Sequence, residues 1–490
     1  MNQPGFFRPD SAWVGDVIPW QEDGVFHLFY LHESRQMPRA GMPWHRAITE
    51  DLVNFRETGP AITSGGRRAD DFNVYTGSIV QDADGMHHVF YTGQNPDLRG
   101  DDGLPLQVVL HATSLDGMRS WQRHPGDTFG ATTGYETADW RDPFVFRDDE
   151  AGLWRMLITA RHADGPARRR GVIAQCVSLD LHTWEPAEPF WNPRRYIAHE
   201  CPEVFEWNGW WYLVYSEFSE SFTTRYRMAR SLSGPWLVPQ HDSIDGRAYY
   251  AAKSAARDGR RFFFGWIASR ESAHDDGAWQ WAGTLSVLEA EQCADGTLAF
   301  HPPRELNATF DEPAAGLVAG TVLQALDGYA DTMVPVTTPN AFRLDVTFDI
   351  APHTSECGVL LRASGDGDEG YVLRLEPRRG RLVFDRWPRH RTGGEQWQIS
   401  GDVPFAIELE RPVDLAPGEH RLEVNVDGDI CVATVDGATT LSTRIYDRTT
   451  GHVGAFVGEG AVVITEFSVA TRSDPLSPAL DADELILTAG

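Results

Sequence analysis

Three carboxylic acids stand far apart in the chain, each at the opening of a strand-like run: Asp16 in VGDVIPW, Asp142 in WRDPFVF and Glu200 in HECPEVF. Brought together in one concave site, three such groups cannot all stay comfortably ionised. Neighbouring negative charge and partial burial raise the pKa of at least one. A protonated carboxyl facing an ionised one is the apparatus of glycoside cleavage, in which one group protonates the departing oxygen and the other attacks the anomeric carbon or assists water to do so. Taken singly, each acid reads as a solvated loop residue or a turn cap, so the chemistry depends on what brings them together.

The elements that position them repeat. Five aromatic and aliphatic strand candidates, HLFYLHE from His27, HHVFYTGQ from His87, WRMLITAR from Trp154, WWYLVYSEF from Trp210 and RFFFGWIASR from Arg261, begin 51 to 67 residues apart. Four are followed by a second element ending on an aromatic residue: TEDLVNF, TSLDGMRSW, VSLDLHTW and SLSGPW. A unit of this length with turns such as EDG, DADG, WNG and RDG suits a four-stranded propeller blade, and five units predict a five-bladed β-propeller. A β-sandwich of look-alike strands is the alternative. Each unit opens with a short strand, VGDVIPW, VYTGSIV, WRDPFVF, HECPEVF or YYAAKSA. Innermost strands line the axis of a propeller, so Asp16, Thr76 or Gly77, Asp142, Glu200 and Lys253 are expected at equivalent positions around one funnel.

At 490 residues the chain exceeds one ordinary core, which predicts two domains. The division expected is a propeller over 1–300, a linker over 301–320, a β-sandwich over 321–475 and a C-terminal tail over 476–490. The sandwich reading rests on alternating strands such as FRLDVTFDI, YVLRLEP, HRLEVNVDG and AVVITEFSV. Abundant turn formers (46 Gly, 30 Pro) and 17 Trp agree with an all-β protein. A net charge of −28 opposes nucleic acid and anionic membrane surfaces as partners. The five cysteines are odd in number and show no CxxC spacing, which favours a reducing compartment. The opening MNQPGFFRPDSAW lacks a basic segment followed by an apolar core, and no apolar run reaches the ~18 residues a membrane span needs. A cytoplasmic protein is the expectation.

The motifs together resemble glycoside hydrolase family 32, the invertase, inulinase and levanase group. WVGD (Trp13–Asp16), RDP (Arg141–Pro143) and ECP (Glu200–Pro202) stand in the order of that family's three acidic motifs. PWHRAITEDLVNF around Trp44, TGS at Thr76–Ser78 and WAGTLS from Trp281 are further matches. The resemblance covers nearly the whole chain and implies a five-bladed propeller followed by a β-sandwich that serves stability or oligomer contacts, leaving a homo-oligomer open. It implies Asp16 as nucleophile, Glu200 as general acid/base and Asp142 as the group gripping sugar hydroxyls, with Trp13, Trp44, Thr76, Ser78, Arg141, Cys201, Lys253 and Trp281 as substrate-binding candidates. Bland readings stand beside several of these: an ion pair for Arg141, packing for Cys201, a salt bridge for Lys253 and a core aromatic for Trp281. No metal or organic cofactor is expected. Gly15, Val17 and Leu31 replace the family's asparagine, proline and glutamine, which implies a remodelled sugar subsite.

The activity expected is a retaining exo-glycosidase on β-fructofuranosides such as sucrose or short fructooligosaccharides. A fructosyltransferase, a hydrolase of another furanoside such as an arabinofuranoside, and a non-catalytic carbohydrate-binding protein are the alternatives. Among minor signals, GDGDEG (365–370) reads as a hairpin turn rather than a calcium loop. His87 and His88, adjacent on a strand, should face opposite sides.

Overall fold

The computed structural model describes residues 3–389 and 407–473; the expected tail over 476–490 lies outside them. Four consecutive meanders make the first four blades. Blade one runs outward through Trp13–Glu22, Val25–Glu33, Trp44–Thr49 and Arg56–Ile62. Blade two starts on Asn73–Gln81, blade three on Tyr135–Asp148 and blade four on Glu200–Trp207. Blade five opens on Tyr249–Arg257 and Arg260–Arg270, and its third strand, Trp279–Gln292, takes the amino-terminal strand Phe6–Phe7 alongside it. That pairing, with the Val14↔Gly283 bridge between first and last blades, ties the two ends of the ring together. Closure of this kind removes the open edges a row of sheets would leave.

The strands form because apolar residues alternate into the gaps between blades. Phe26, Leu28 and Tyr30 of blade one pack with Phe262, Phe264 and Leu285 of blade five, while Phe29 and Leu31 face Val89 and Tyr91 of blade two. One strand thus serves two cores through the period-2 alternation of its side chains.

Strands from 312 to 471 build the sandwich. Its two layers share one 21-residue strand, Gly451–Thr471, which pairs with Glu356–Ala363 along one half and Ala341–Ile350 along the other. The segment read as a linker is ordered: it carries a helical turn, Arg304–Asn307, and the strand Glu312–Gly316, hydrogen-bonded to the shared strand. Ile430 and Val432 of the sandwich enter the core containing Phe263, Leu288 and Phe300 of the propeller. Buried arginines complete the contact. Arg411 donates to the carbonyl of Ile244 at 2.9 Å, and Arg444 to those of Ile267 and Ala268 at 2.8 and 3.1 Å. The sandwich therefore braces the blade that closes the ring. Loop 365–370 is a hairpin turn, with the Ser364 amide donating to the Glu369 carbonyl at 2.8 Å.

Candidate active site

All five innermost strands break register with their neighbours at the same level. The irregularity falls between Val14 and Val17, Tyr75 and Gly77, Arg141 and Phe144, Glu200 and Glu203, and Tyr250 and Lys253. A bulge of this kind leaves residues unpaired and re-aims their side chains. In blades three, four and five the first unpaired residue takes a left-handed backbone conformation: Asp142 at φ 55°, Cys201 at φ 50° and Ala251 at φ 53°. The expectation of strictly equivalent positions needs correction here. Glu200 matches Arg141 and Tyr250 as the last paired residue, Asp142 matches Cys201, Asp16 is the second unpaired residue, and Lys253 is the first paired residue after the break. The three acids converge on one level of the axis from different offsets at three of the five bulges.

They meet in a cavity of about 350 Å³ lined by Asp16, Thr76, Arg141, Asp142, Glu200 and Trp281, with Leu31, Arg39, Met42, Tyr75 and Gln107 around them. Asp16 accepts from the Thr76 hydroxyl at 2.5 Å on one oxygen and from the Trp266 indole at 3.1 Å on the other. Burial, reinforced by the charge of Asp142, pushes its carboxyl above the usual carboxylate range despite these donors. Asp142 is fixed by backbone and buried hydroxyl: its Oδ2 accepts from the Cys201 amide at 3.0 Å and the Thr159 hydroxyl at 3.0 Å.

Glu200 is held by side chains alone. Arg141 Nη2 donates to its Oε1 at 3.0 Å and the Tyr250 hydroxyl to its Oε2 at 2.7 Å. Burial pushes this carboxyl up; Arg141 and Tyr250 work against that, and Asp142 and Asp16 add to it. Arg141 also pairs with Asp139, and its carboxylate neighbours hold it firmly charged although burial opposes this. The site therefore holds two buried carboxyls, Asp16 and Glu200, each pushed up by burial and each with two side-chain donors. A pair of which one keeps a proton while the other ionises is what proton donation followed by nucleophilic attack requires.

The remaining sequence candidates divide. Thr76, Arg141 and Trp281 line the cavity. Lys253 is buried beneath it, its ammonium donating to the Gly77 carbonyl at 2.7 Å. Cys201 is also buried, its thiol 3.7 Å from Asp16 Oδ2. Trp44 and Ser78 are not among the lining residues. The Trp44 indole is fully buried and donates to the Tyr75 carbonyl at 3.1 Å, because its strand alternation turns it into the gap between blades one and two. The Ser78 hydroxyl accepts from the Val145 amide at 2.9 Å, joining blade two to blade three. Trp13 lies outside this cavity, under the guanidinium of Arg35 at 3.8 Å, beside a separate cavity between propeller and sandwich.

Sequence reasoning missed Tyr250 and Trp266. Tyr250 was accessible from YYAAKSA once the bulge offset is known, since it occupies the place of Arg141 and Glu200. Trp266 reaches Asp16 from the second strand of blade five, across 250 residues of chain, and nothing local marks it. The replaced motif residue is informative as well. A Cβ on Gly15 would lie 2.5 Å from the ring of Trp281, so the indole fills the space that a side chain at position 15 would need.

Residues 6–302 match the Glycosyl hydrolases family 32 N-terminal domain and residues 318–471 the Glycosyl hydrolases family 32 C terminal domain. Raffinose invertase of Escherichia coli is 25% identical over 488 residues, covering 94% of this chain and 92% of that one. Sucrose-6-phosphate hydrolase of Escherichia coli is 26% identical, covering 90% and 88%. The fold matches exo-inulinase from Aspergillus awamori with a TM-score of 0.76 at 19% identity, over 96% of this chain and 99% of that one.

Proposed function

This chain belongs to glycosyl hydrolase family 32, and on that premise we propose that it is a retaining exo-glycosidase that cleaves β-fructofuranosidic bonds in sucrose-like or short fructooligosaccharide substrates. The observation that carries the reading is the convergence of Asp16, Asp142 and Glu200 on one cavity, where Asp16 and Glu200 are held by side chains and Asp142 is pinned by a backbone amide. Protonated Glu200 gives its proton to the departing oxygen while Asp16 attacks the anomeric carbon. Glu200, now ionised, draws a proton from water, and that water releases the fructosyl group from Asp16. Asp142 accepts hydrogen bonds from ring hydroxyls as positive charge develops on the sugar, and its anchoring by the Cys201 amide keeps it from following the substrate. A cavity of about 350 Å³ with Trp281 at its edge holds one sugar ring deeply, in keeping with exo action.

A second reading rests on the Gly15–Trp281 contact. The indole occupies the place of the family's asparagine side chain, which alters how the furanose is held and favours a neighbouring furanoside, such as an arabinofuranoside, as substrate. The absence of any disulfide among five free cysteines supports a cytoplasmic setting in which imported oligosaccharides are the substrates. The test is a panel of sucrose, inulobiose, 1-kestose and nitrophenyl arabinofuranosides, with the anomer of the first product read by NMR. Release of β-configured fructofuranose is expected; α-configured first product overturns retention, and turnover of the arabinofuranosides alone favours the second reading.

A further inference from the structure

Away from the axis, where blade two meets blade three, a chain of polar groups runs from one carboxylate to another through two stacked imidazoles. His88 Nε2 lies 3.3 Å from Asp82 Oδ2, His88 Nδ1 2.9 Å from His111 Nε2, and His111 Nδ1 2.8 Å from Asp127 Oδ2. From the other blade, His182 Nδ1 approaches the same Asp127 oxygen at 2.7 Å. Two neutral imidazoles carry two N–H hydrogens, yet the chain has three contacts that each need one. One contact sets lone pair against lone pair until a further positive charge enters. His88 and His111 are buried, so that charge is best placed at the open end, beside the partly exposed Asp127 and the half-exposed His182, which lines a cavity of about 390 Å³.

We propose that His111, Asp127 and His182 bind a divalent transition-metal ion of the zinc class, which staples blade two to blade three. Two imidazole nitrogens and one carboxylate, with water from the adjoining cavity as fourth ligand, make the mixed nitrogen and oxygen set that zinc accepts. The three ligand atoms already lie within 4.8 Å of one another. Spreading them to the ~3.3 Å separations of a tetrahedral site requires a small shift of the Asp127 carboxylate, which now lies 2.8 Å from His111 and 2.7 Å from His182, and a swing of the exposed His182 ring. The outer partners are also in place. Asp82 takes the Nε2–H of His88, His88 accepts the Nε2–H of His111, and His111 then turns a bare Nδ1 toward the ion, the arrangement that orients metal-bound histidines. His182 is preset in turn by Asp180, whose carboxylate accepts from the amides of His182 and Thr183 at 2.9 and 2.7 Å.

The experiment is zinc binding by the full chain, stripped with chelator, measured by calorimetry and by retained zinc after gel filtration, with Tm recorded in parallel. Wild type is expected to retain one equivalent and to show a raised Tm with zinc. His182→Ala and Asp127→Asn should lose both effects, and His88→Gln should weaken binding by roughly 10–100-fold. The trio His32, His45 and Glu57 is the other cluster of this kind among the described residues, so His45→Ala serves as the control and should bind as wild type does. Failure of wild type to retain zinc, retention by His182→Ala and Asp127→Asn, or loss in His45→Ala overturns the proposal.

Discussion

Blades three and four are built alike where they face the axis, and they put their acids to different uses. Each offers a paired residue, a residue in the left-handed region, a proline and then an apolar or buried position: Arg141, Asp142, Pro143 and Phe144 in one, Glu200, Cys201, Pro202 and Glu203 in the other. In blade three the acid sits in the left-handed position, where it is deeply buried and accepts from the backbone of blade four. In blade four the acid sits one residue earlier and keeps 22% of its side chain exposed, with only side-chain donors on it. A shift of one residue in the same bulge thus separates a carboxyl pinned by backbone and buried hydroxyl from one held by side chains and open to the cavity, the contrast that the proposed division of roles between them requires.

The comparison is sharpest in paired alanine variants. Glu200→Ala is expected to lower kcat by about 10²–10⁴ with Tm close to wild type, because Arg141 keeps Asp139 and Asp142 as partners. Asp142→Ala should lower kcat by roughly 10²–10³ and also cost about 1–3 kcal/mol of stability, since the buried Cys201 amide and Thr159 hydroxyl lose their acceptor. Turnover and thermal unfolding measured on both decide the matter; equal Tm values in the two variants would break the distinction.

Smaller effects test the two protonation states. In the proposed mechanism Asp16 acts ionised and Glu200 protonated, so the acid limb of kcat/KM is expected to follow Asp16 and the basic limb Glu200. Burial moves both limbs above those of free carboxyls. Tyr250 donates to Glu200 and favours its charged form, so Tyr250→Phe should move the basic limb to higher pH and lower kcat about 5-fold, a loss of one hydrogen bond. Thr76→Val removes a donor from Asp16 and should shift the acid limb upward, narrowing the profile from its acid side. A basic limb that moves with Thr76→Val instead would reverse the assignment of nucleophile and acid.

Much of this was legible in the chain. The repeat of aromatic strands and the acids opening them follow from local pattern, because a blade is a local meander whose alternation is written in consecutive residues. Asp16, Asp142 and Glu200 could be named for the same reason: each sits in a short motif at the head of a blade. Trp44 and Ser78 show the limit. They stand in motif stretches, but strand alternation and the neighbouring blade turn them into packing and cross-blade hydrogen bonds. Trp266 and Tyr250 show the converse, since their roles arise from contacts 250 and 50 residues away in sequence.

The sequence alone determined that five similar units exist and which of them carry acids, since both are properties of runs of neighbouring residues. Tertiary structure decided which carboxyl is pinned by backbone, which are held by side chains of other blades, and what fills the space beside Gly15. Those outcomes depend on burial and on donors brought in by other blades, and both come into being only when the ring closes.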